Sequence, residues 1–430
     1  MEKQTIMKIY RHASEASAIL ERGRFDDEEK RAAVRAIVRD VRDRGDAALF
    51  EYCEKFDGSR LTHENVAVTR AEIDAAYAAL DKELLASMRK AAKNVLDYHS
   101  RAPMKEDIRT DGGRTTGYTV RAVERAGIYV PGGTAPLFSS VLMGVLPAKA
   151  AGVEHICVCT PAKEGKVDPA VIAAADMCGA EKIFKAGGAQ AIAALAYGTE
   201  SIPKADVIAG PGNIFVTLAK KEVYGEVGID MLAGPSEILI IADGKQDPEY
   251  IAADILSQAE HDRLARAILL TDSPALAERV AAAVERRLAD LPRREIAAYS
   301  VGHAGGIILV EDLEEACDLA NVIAPEHLEL ATDECDRLLP RIRSAGAVFM
   351  GSYTPEPVGD YFAGPNHTLP TGGTARFFEV LNQDIFLRKM SVIRYTKEAL
   401  EEDGADIVRL AEKEQLHAHA NAVRARLGGK

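Results

Sequence analysis

Ala126-Gly-Ile-Tyr-Val130, Pro131-Gly-Gly-Thr-Ala-Pro136, a helix-length apolar stretch over 139–151 and then His155-Ile-Cys-Val-Cys159 form the stretch that decides the fold. A short apolar strand, a turn cluster, a helix and a second strand make one βαβ unit, and such units build parallel sheets. Working outward, the pattern repeats. Residues 169–177 read as a helix, 182–186 as a strand, 190–197 as a helix and 207–209 as a strand. Gly210-Pro-Gly-Asn213 follows, with a helix to about 224. A second alternation places strands at 238–242, 267–270, 306–310, 329–331 and 347–350, with helices at 248–260 and 274–288. Upstream, 26–97 is helical, with apolar residues spaced by three and four over 31–47 and 71–98, and the polar, Gly-rich 109–120 reads as a hairpin. Residues 352–376 are rich in Gly and Pro without periodicity, and loops that long are usually functional. A helical tail over 397–427 ends the chain.

The fold class expected is therefore α/β: two Rossmann-like parallel-sheet modules without the standard glycine fingerprint, plus a helical N-terminal segment and a helical C-terminal tail. At roughly 100–200 residues per domain, 430 residues imply two main domains plus additions. The expected division is an N-terminal extension (1–25), a first α/β domain (26–125 with 237–380), a second α/β domain (126–236) and a C-terminal helical tail (381–430).

A formal charge of −13 argues against a nucleic-acid groove, which needs a basic face. The N-terminus lacks the apolar core of a signal peptide, and no run of about 18 apolar residues predicts a membrane span. The six cysteines form no Cys-x-x-Cys pair. Cys157 and Cys159 fall on one face of a strand, as small core residues do, and this usage suits a reducing compartment. A cytoplasmic location is expected.

The chemistry concentrates in a few places. Ala324-Pro-Glu-His-Leu-Glu329 sets Glu326 beside His327, two proton-transfer groups in one short segment. The bland reading is a pair of polar turn residues after a helix. Gln258 and His261 share a face of the helix expected over 248–261. With Asp360 in the long loop and His419 in the tail, they make an oxygen and nitrogen donor set without thiolate. Such a set is unlike a structural Cys zinc site and fits zinc with open positions, or manganese or cobalt. Glu414 and His419 lie about 140° apart on an ideal helix, so sharing a site requires a break between them. His417 is a competing imidazole.

Three glycine clusters, at 130–134, 186–191 and 210–213, follow strands and open helices, where backbone amides can face a phosphate. None is Gly-x-Gly-x-x-Gly, and no acidic residue stands at the usual ribose spacing. On the residues alone, an α/β protein with a nucleotide-like crevice is expected. Metal-assisted hydrolysis would use the same groups, whereas a non-catalytic binding protein would not need the Glu–His pair.

Val130-Pro-Gly-Gly-Thr-Ala-Pro-Leu-Phe-Ser-Ser140, Ala209-Gly-Pro-Gly-Asn-Ile-Phe-Val216, Ala233-Gly-Pro-Ser-Glu237, Ser257-Gln-Ala-Glu-His-Asp262, Ala324-Pro-Glu-His-Leu-Glu329 and Gly364-Pro-Asn-His-Thr-Leu-Pro-Thr371 together resemble the histidinol dehydrogenase family. The likeness runs over essentially the whole chain. It implies oxidation of L-histidinol to L-histidine through the aldehyde, with reduction of two NAD+. It also implies a zinc-dependent homodimer in which tail residues complete the partner's site. By motif, Gln258, His261, Asp360 and His419 resemble the zinc ligands, and Glu326 and His327 the catalytic pair. Ser236, Gln258, His261, His327, Asp360, His367, Glu414 and His419 match substrate-contacting positions. Tyr129, Gln190 and Asn213 match NAD-contacting ones. A related dehydrogenase of another small alcohol is the alternative.

Overall fold

The computed structural model describes residues 6–20, 28–101, 104–132 and 136–428. Residues 133–135 of the turn cluster, and part of the expected N-terminal extension, lie outside the described residues. The chain forms two compact units, one of Met1–Arg101 with Glu124–Phe386 and one of Ala102–Val123 with Leu387–Lys430.

The first unit contains two all-parallel sheets. One has five strands in the order Lys182–Phe184, His155–Cys159, Arg125–Tyr129, Val207–Ala209, Gly228–Ile229. The other has six: Ile9–Tyr10, Gly306–Leu309, Arg266–Thr271, Glu237–Ala242, His327–Ala331, Ala347–Met350. Leaving aside the edge strand Ile9–Tyr10, both sheets are wound identically: the first strand of each alternation is central, flanked by its second and fourth. That winding is the dinucleotide-binding type, and it leaves a crevice at the carboxyl ends between first and fourth strands. Helices on both faces explain why the strands read as continuous apolar runs; Glu237–Ala242 is buried at every position.

The helices start where local chemistry dictates. Asp168-Pro169, Asp247-Pro248 and Ser273-Pro274 each combine a side-chain cap with a proline at the first helical position. The N-terminal helices Glu28–Arg44 and Asp46–Asp57 bury Val34, Val38, Val41 and Leu49 against Ile192, Leu195 and Ile208 of the five-stranded module. Cys157 and Cys159 lie in the same core.

Several boundaries depart from the periodicity. The helix expected over 71–98 is two, Arg70–Ala79 and Lys82–His99, because Asp81 caps the second by accepting from Glu83 N–H (2.8 Å) and Leu84 N–H (3.0 Å). Ile9–Tyr10 was not foreseen, since two residues carry no periodic signal. Among the described residues no helix is long and apolar enough to cross a membrane.

In the second unit the expected hairpin forms from Asp107–Asp111 and Arg114–Ala122. A third antiparallel strand, Leu387–Tyr395, joins it and corrects the reading of 381–430 as purely helical. The helical part follows as Lys397–Lys413 and His417–Arg426. The break between them, at which Gln415 takes φ 62°, is the interruption that the spacing of Glu414 and His419 requires.

Candidate active site

The Glu326–His327 pair stands at the amino-terminal edge of the six-stranded sheet. Helix Leu313–Ile323 ends with Ala324 in the left-handed region (φ 48°), and Pro325 leads into the strand that His327 opens. These are strand-edge residues rather than turn residues. Glu326 is buried, and its Oε2 accepts from Glu237 N–H (2.8 Å). His327 Nδ1 lies 3.2 Å from Glu237 O. A carbonyl can only accept, so Nδ1 carries the hydrogen and the neutral ring presents Nε2 as its basic nitrogen. That Nε2 is buried without a hydrogen-bond partner and stands 3.8 Å from both Glu356 Oε1 and Asp360 Oδ1.

Glu356 is the residue that the sequence reading missed. It opens the short helix Glu356–Tyr361 inside the long loop, and the four-residue step to Asp360 puts both carboxylates on one helical face. That step was the available signal. His327, Glu356 and Asp360 bring three donor atoms within 4.8 Å of one another. Gln258, fully buried, reaches the same place: with its amide turned to suit its neighbours, Nε2 donates to both Glu356 oxygens (2.6 and 2.7 Å) and Oε1 accepts from Glu237 N–H (3.0 Å). Turned the other way, Oε1 would face the Glu356 carboxylate, a contact that a cation or a proton on Glu356 relieves.

The electrostatics point the same way. Burial pushes Glu326 up to about 8. Burial lowers His327, but the Glu326, Glu356 and Asp360 carboxylates outweigh it and raise the ring to about 10. Burial also raises Asp360, yet His327, His367 and His261 hold it below the ordinary carboxylate range. Several buried carboxylates thus face imidazoles that cannot fully balance them. An oxygen and nitrogen set of this kind fits a divalent cation, which would also reverse the bias on His327 toward protonation.

His261 is not in the helix, which ends at Ala259; it follows the Glu260 cap, and its N–H donates to Gln258 O (3.2 Å). It is nevertheless within electrostatic reach of Asp360 and His327. His367 is fixed by an Nδ1 contact to Asp360 O (3.0 Å). Ser236 precedes strand Glu237–Ala242, with its carbonyl accepting from Arg266 N–H (3.0 Å). Glu414 and His419 are exposed residues of the second unit, at the end of one tail helix and in the first turn of the next.

The other expected site residues lie at the carboxyl edge of the five-stranded sheet. Tyr129 ends its central strand, with its hydroxyl accepting from Gly188 N–H (3.1 Å) at the start of helix Gly188–Tyr197. Gln190, on that helix, is buried with Nε2 lacking a partner. Asn213 caps helix Ile214–Val223, accepting from Phe215 N–H (3.0 Å) and Val216 N–H (3.2 Å). Gly210 holds φ 121°, where a Cβ would stand 2.1 Å from Tyr129 O, so only glycine allows this close approach. A crevice of about 1000 Å³ opens beside these strands, lined by Pro131, Gly132, Thr160 and Pro161. Its position, its volume and the unpartnered Gln190 amide fit a dinucleotide. The matching edge of the six-stranded sheet has a smaller crevice, about 580 Å³, where Asp243, Asp272, Asp312, Glu314 and Glu334 outnumber Lys245 and Arg337.

Two dinucleotide-type sheets, one with an open crevice and the other with a buried acid–base cluster at its opposite edge, fit an α/β oxidoreductase. The family model described as histidinol dehydrogenase matches residues 20–427. The chain is 53% identical over 411 residues to histidinol dehydrogenase of Syntrophotalea carbinolica, covering 95% of each chain. It is 50% identical over 414 residues to that of Bacillus cereus, covering 96% of each. The crystal structure of histidinol dehydrogenase from Elizabethkingia anophelis superposes with a TM-score of 0.94 at 39% identity, covering 99% of each chain. The chain belongs to the histidinol dehydrogenase family, whose members are dehydrogenases of histidine biosynthesis.

Proposed function

We propose that this chain oxidises L-histidinol to L-histidine through the aldehyde, using zinc and two NAD+ in succession. The observation that carries the reading is the convergence of Gln258, Asp360 and the free Nε2 of His327 beside buried Glu326. Gln258, His261 and Asp360 would hold the metal, with His419 supplied by the tail; Tyr129, Gln190 and Asn213 would contact the coenzyme. When bound, zinc orients the amino alcohol and polarises its oxygen; when bound, NAD+ accepts hydride.

The residues divide the remaining work. His327 takes the hydroxyl proton at Nε2, with the ring held by the Glu237 carbonyl. Glu326 takes a proton from water for the second oxidation, and His327 then acts again. Ser236, His367 and Glu414 orient the substrate. We also propose that the chain acts in the cytoplasm and that its two sheets mark separate domains.

The decisive experiment mixes zinc-loaded protein, L-histidinol and NAD+ and follows NADH. Two NADH per histidinol, lost on chelation and regained with zinc, is the expected result. Turnover of a different alcohol instead would identify a relative with another substrate, and turnover without NAD+ would revive the hydrolase reading.

We further propose a homodimer in which each tail lends Glu414 and His419 to the partner's site. The support is their position on a unit compact in itself, joined to the other by chain crossings near 101–124 and 386–387. Mixing H419A subunits with H327A subunits should restore activity absent from either alone, because one hybrid site is intact. Hybrids as inactive as their parents would rule the arrangement out.

A further inference from the structure

The far wall of the large crevice comes from outside the sheet. Asp57 is the last residue of helix Asp46–Asp57, and both Phe56 and Asp57 line the crevice. Its place is fixed on both sides. Gly58 ends the helix with φ 63°, and Ser59 Oγ donates to Ala162 O (2.6 Å) while accepting from Gly165 N–H (3.0 Å). Ala162 and Gly165 belong to the loop that leaves strand His155–Cys159 at its carboxyl end.

Asp57 Oδ2 is buried and lacks a hydrogen-bond partner. Burial alone pushes this carboxyl up to about 6, with no cation to offset it. It also acts on its neighbours, raising Tyr129 and Cys53 after the larger effect of their own burial. Gln190 Nε2 is the other unpartnered group of this region. Leaving a buried acceptor and a buried donor unmade is costly, so both point to a polar ligand that supplies hydroxyl donors and an acceptor. In dinucleotide folds a carboxylate after the second strand accepts from the ribose hydroxyls and repels a phosphorylated ribose. Here the second strand, His155–Cys159, is followed by Thr160-Pro161-Ala162, and of the two acids further along that loop which line the crevice, Glu164 is exposed and Asp168 is committed to Ala170 N–H (2.8 Å).

We propose that Asp57 is the coenzyme-specificity residue of this chain: it accepts a hydrogen bond from a ribose hydroxyl and excludes dinucleotides that carry a 2′-phosphate. The assignment rests on the NAD reading above and adds the residue that selects NAD+ over NADP+.

Calorimetric titration of NAD+, NADP+ and ADP-ribose into wild type, D57N, D57S and D57E tests it without reliance on turnover. Wild type should bind NAD+ at least about tenfold more tightly than NADP+, the scale of one charged hydrogen bond. D57N and D57S should lose about that factor for NAD+ and ADP-ribose and bind NADP+ as well as NAD+, whereas D57E should keep the preference. Melting curves without coenzyme show whether the variants are folded, and D57N should melt no lower than wild type because it removes an unpartnered buried charge. Unchanged affinity and preference in D57N and D57S would overturn the assignment while leaving NAD+ as the coenzyme. A wild type that binds neither dinucleotide would overturn the coenzyme reading and the assignment together.

Discussion

His327→Ala is expected to lower the turnover of both oxidations by about 10²–10⁴-fold, the usual worth of a positioned proton-transfer group. The effect should fall on kcat, with NAD+ affinity unchanged, because the ring lies at one edge of the six-stranded sheet and the crevice proposed for the coenzyme at the other sheet. Its Nδ1 is committed to the Glu237 carbonyl, so Nε2 is the nitrogen free to take a proton. A purely structural role would give a different signature. The ring contacts Phe349, with centroids 5.9 Å apart, so its removal should also cost some stability. His327→Asn keeps a polar group of similar reach and isolates the proton transfer. Stopped-flow NADH formation from histidinol and from the aldehyde, beside melting curves, separates the cases. Either variant retaining more than a tenth of wild-type kcat would remove His327 from the mechanism.

Glu326→Gln should divide the reaction. The amide oxygen can still accept from Glu237 N–H, so the strand edge survives, but no carboxylate remains to take a proton from water. The expected outcome is one NADH per site at a rate near that of wild type, followed by a second oxidation slowed about 10²-fold or more. The pH dependence carries the same logic. Burial raises Glu326 to about 8, and the reactive form is the carboxylate. In wild type the second oxidation should therefore quicken as pH rises toward that value, and in Glu326→Gln this dependence should flatten. A variant that slows both oxidations equally, with the pH profile intact, would assign Glu326 to holding the strand edge instead of activating water.

Much of the architecture was legible because it rests on local chemistry. Turn clusters, apolar strands and Asp-Pro or Ser-Pro helix starts mark nearly every βαβ step. The harder parts depend on distant partners. Strand Leu387–Tyr395 has the composition of a strand, but its role is set by Arg114–Ala122, some 270 residues earlier in the chain. Ile9–Tyr10 is a strand only because Gly306–Leu309 offers it an edge. Gln258 and His261 were adjacent enough to notice, yet the helix stops between them, and His261 approaches Asp360 from a turn. Glu356 went unread because the long loop lacked periodicity over its whole length, while the four-residue step to Asp360 was a single helical turn within it. Asp57 was hidden for another reason: the usual acidic position belongs to the sheet, and this carboxylate arrives from a helix that precedes the sheet in the chain.

Both sheets are wound alike, and of their two crevices the larger, about 1000 Å³ against about 580 Å³, opens at the five-stranded one. In the proposed reaction, the consumption of two coenzymes at one berth must be interrupted by traffic. The first reduced nucleotide has to depart and a fresh oxidised one has to arrive while the half-oxidised intermediate waits beside His327. The lifetime of that intermediate is then governed by the exchange of its neighbour, and the chain must grip a reactive aldehyde more tightly than it grips its coenzyme.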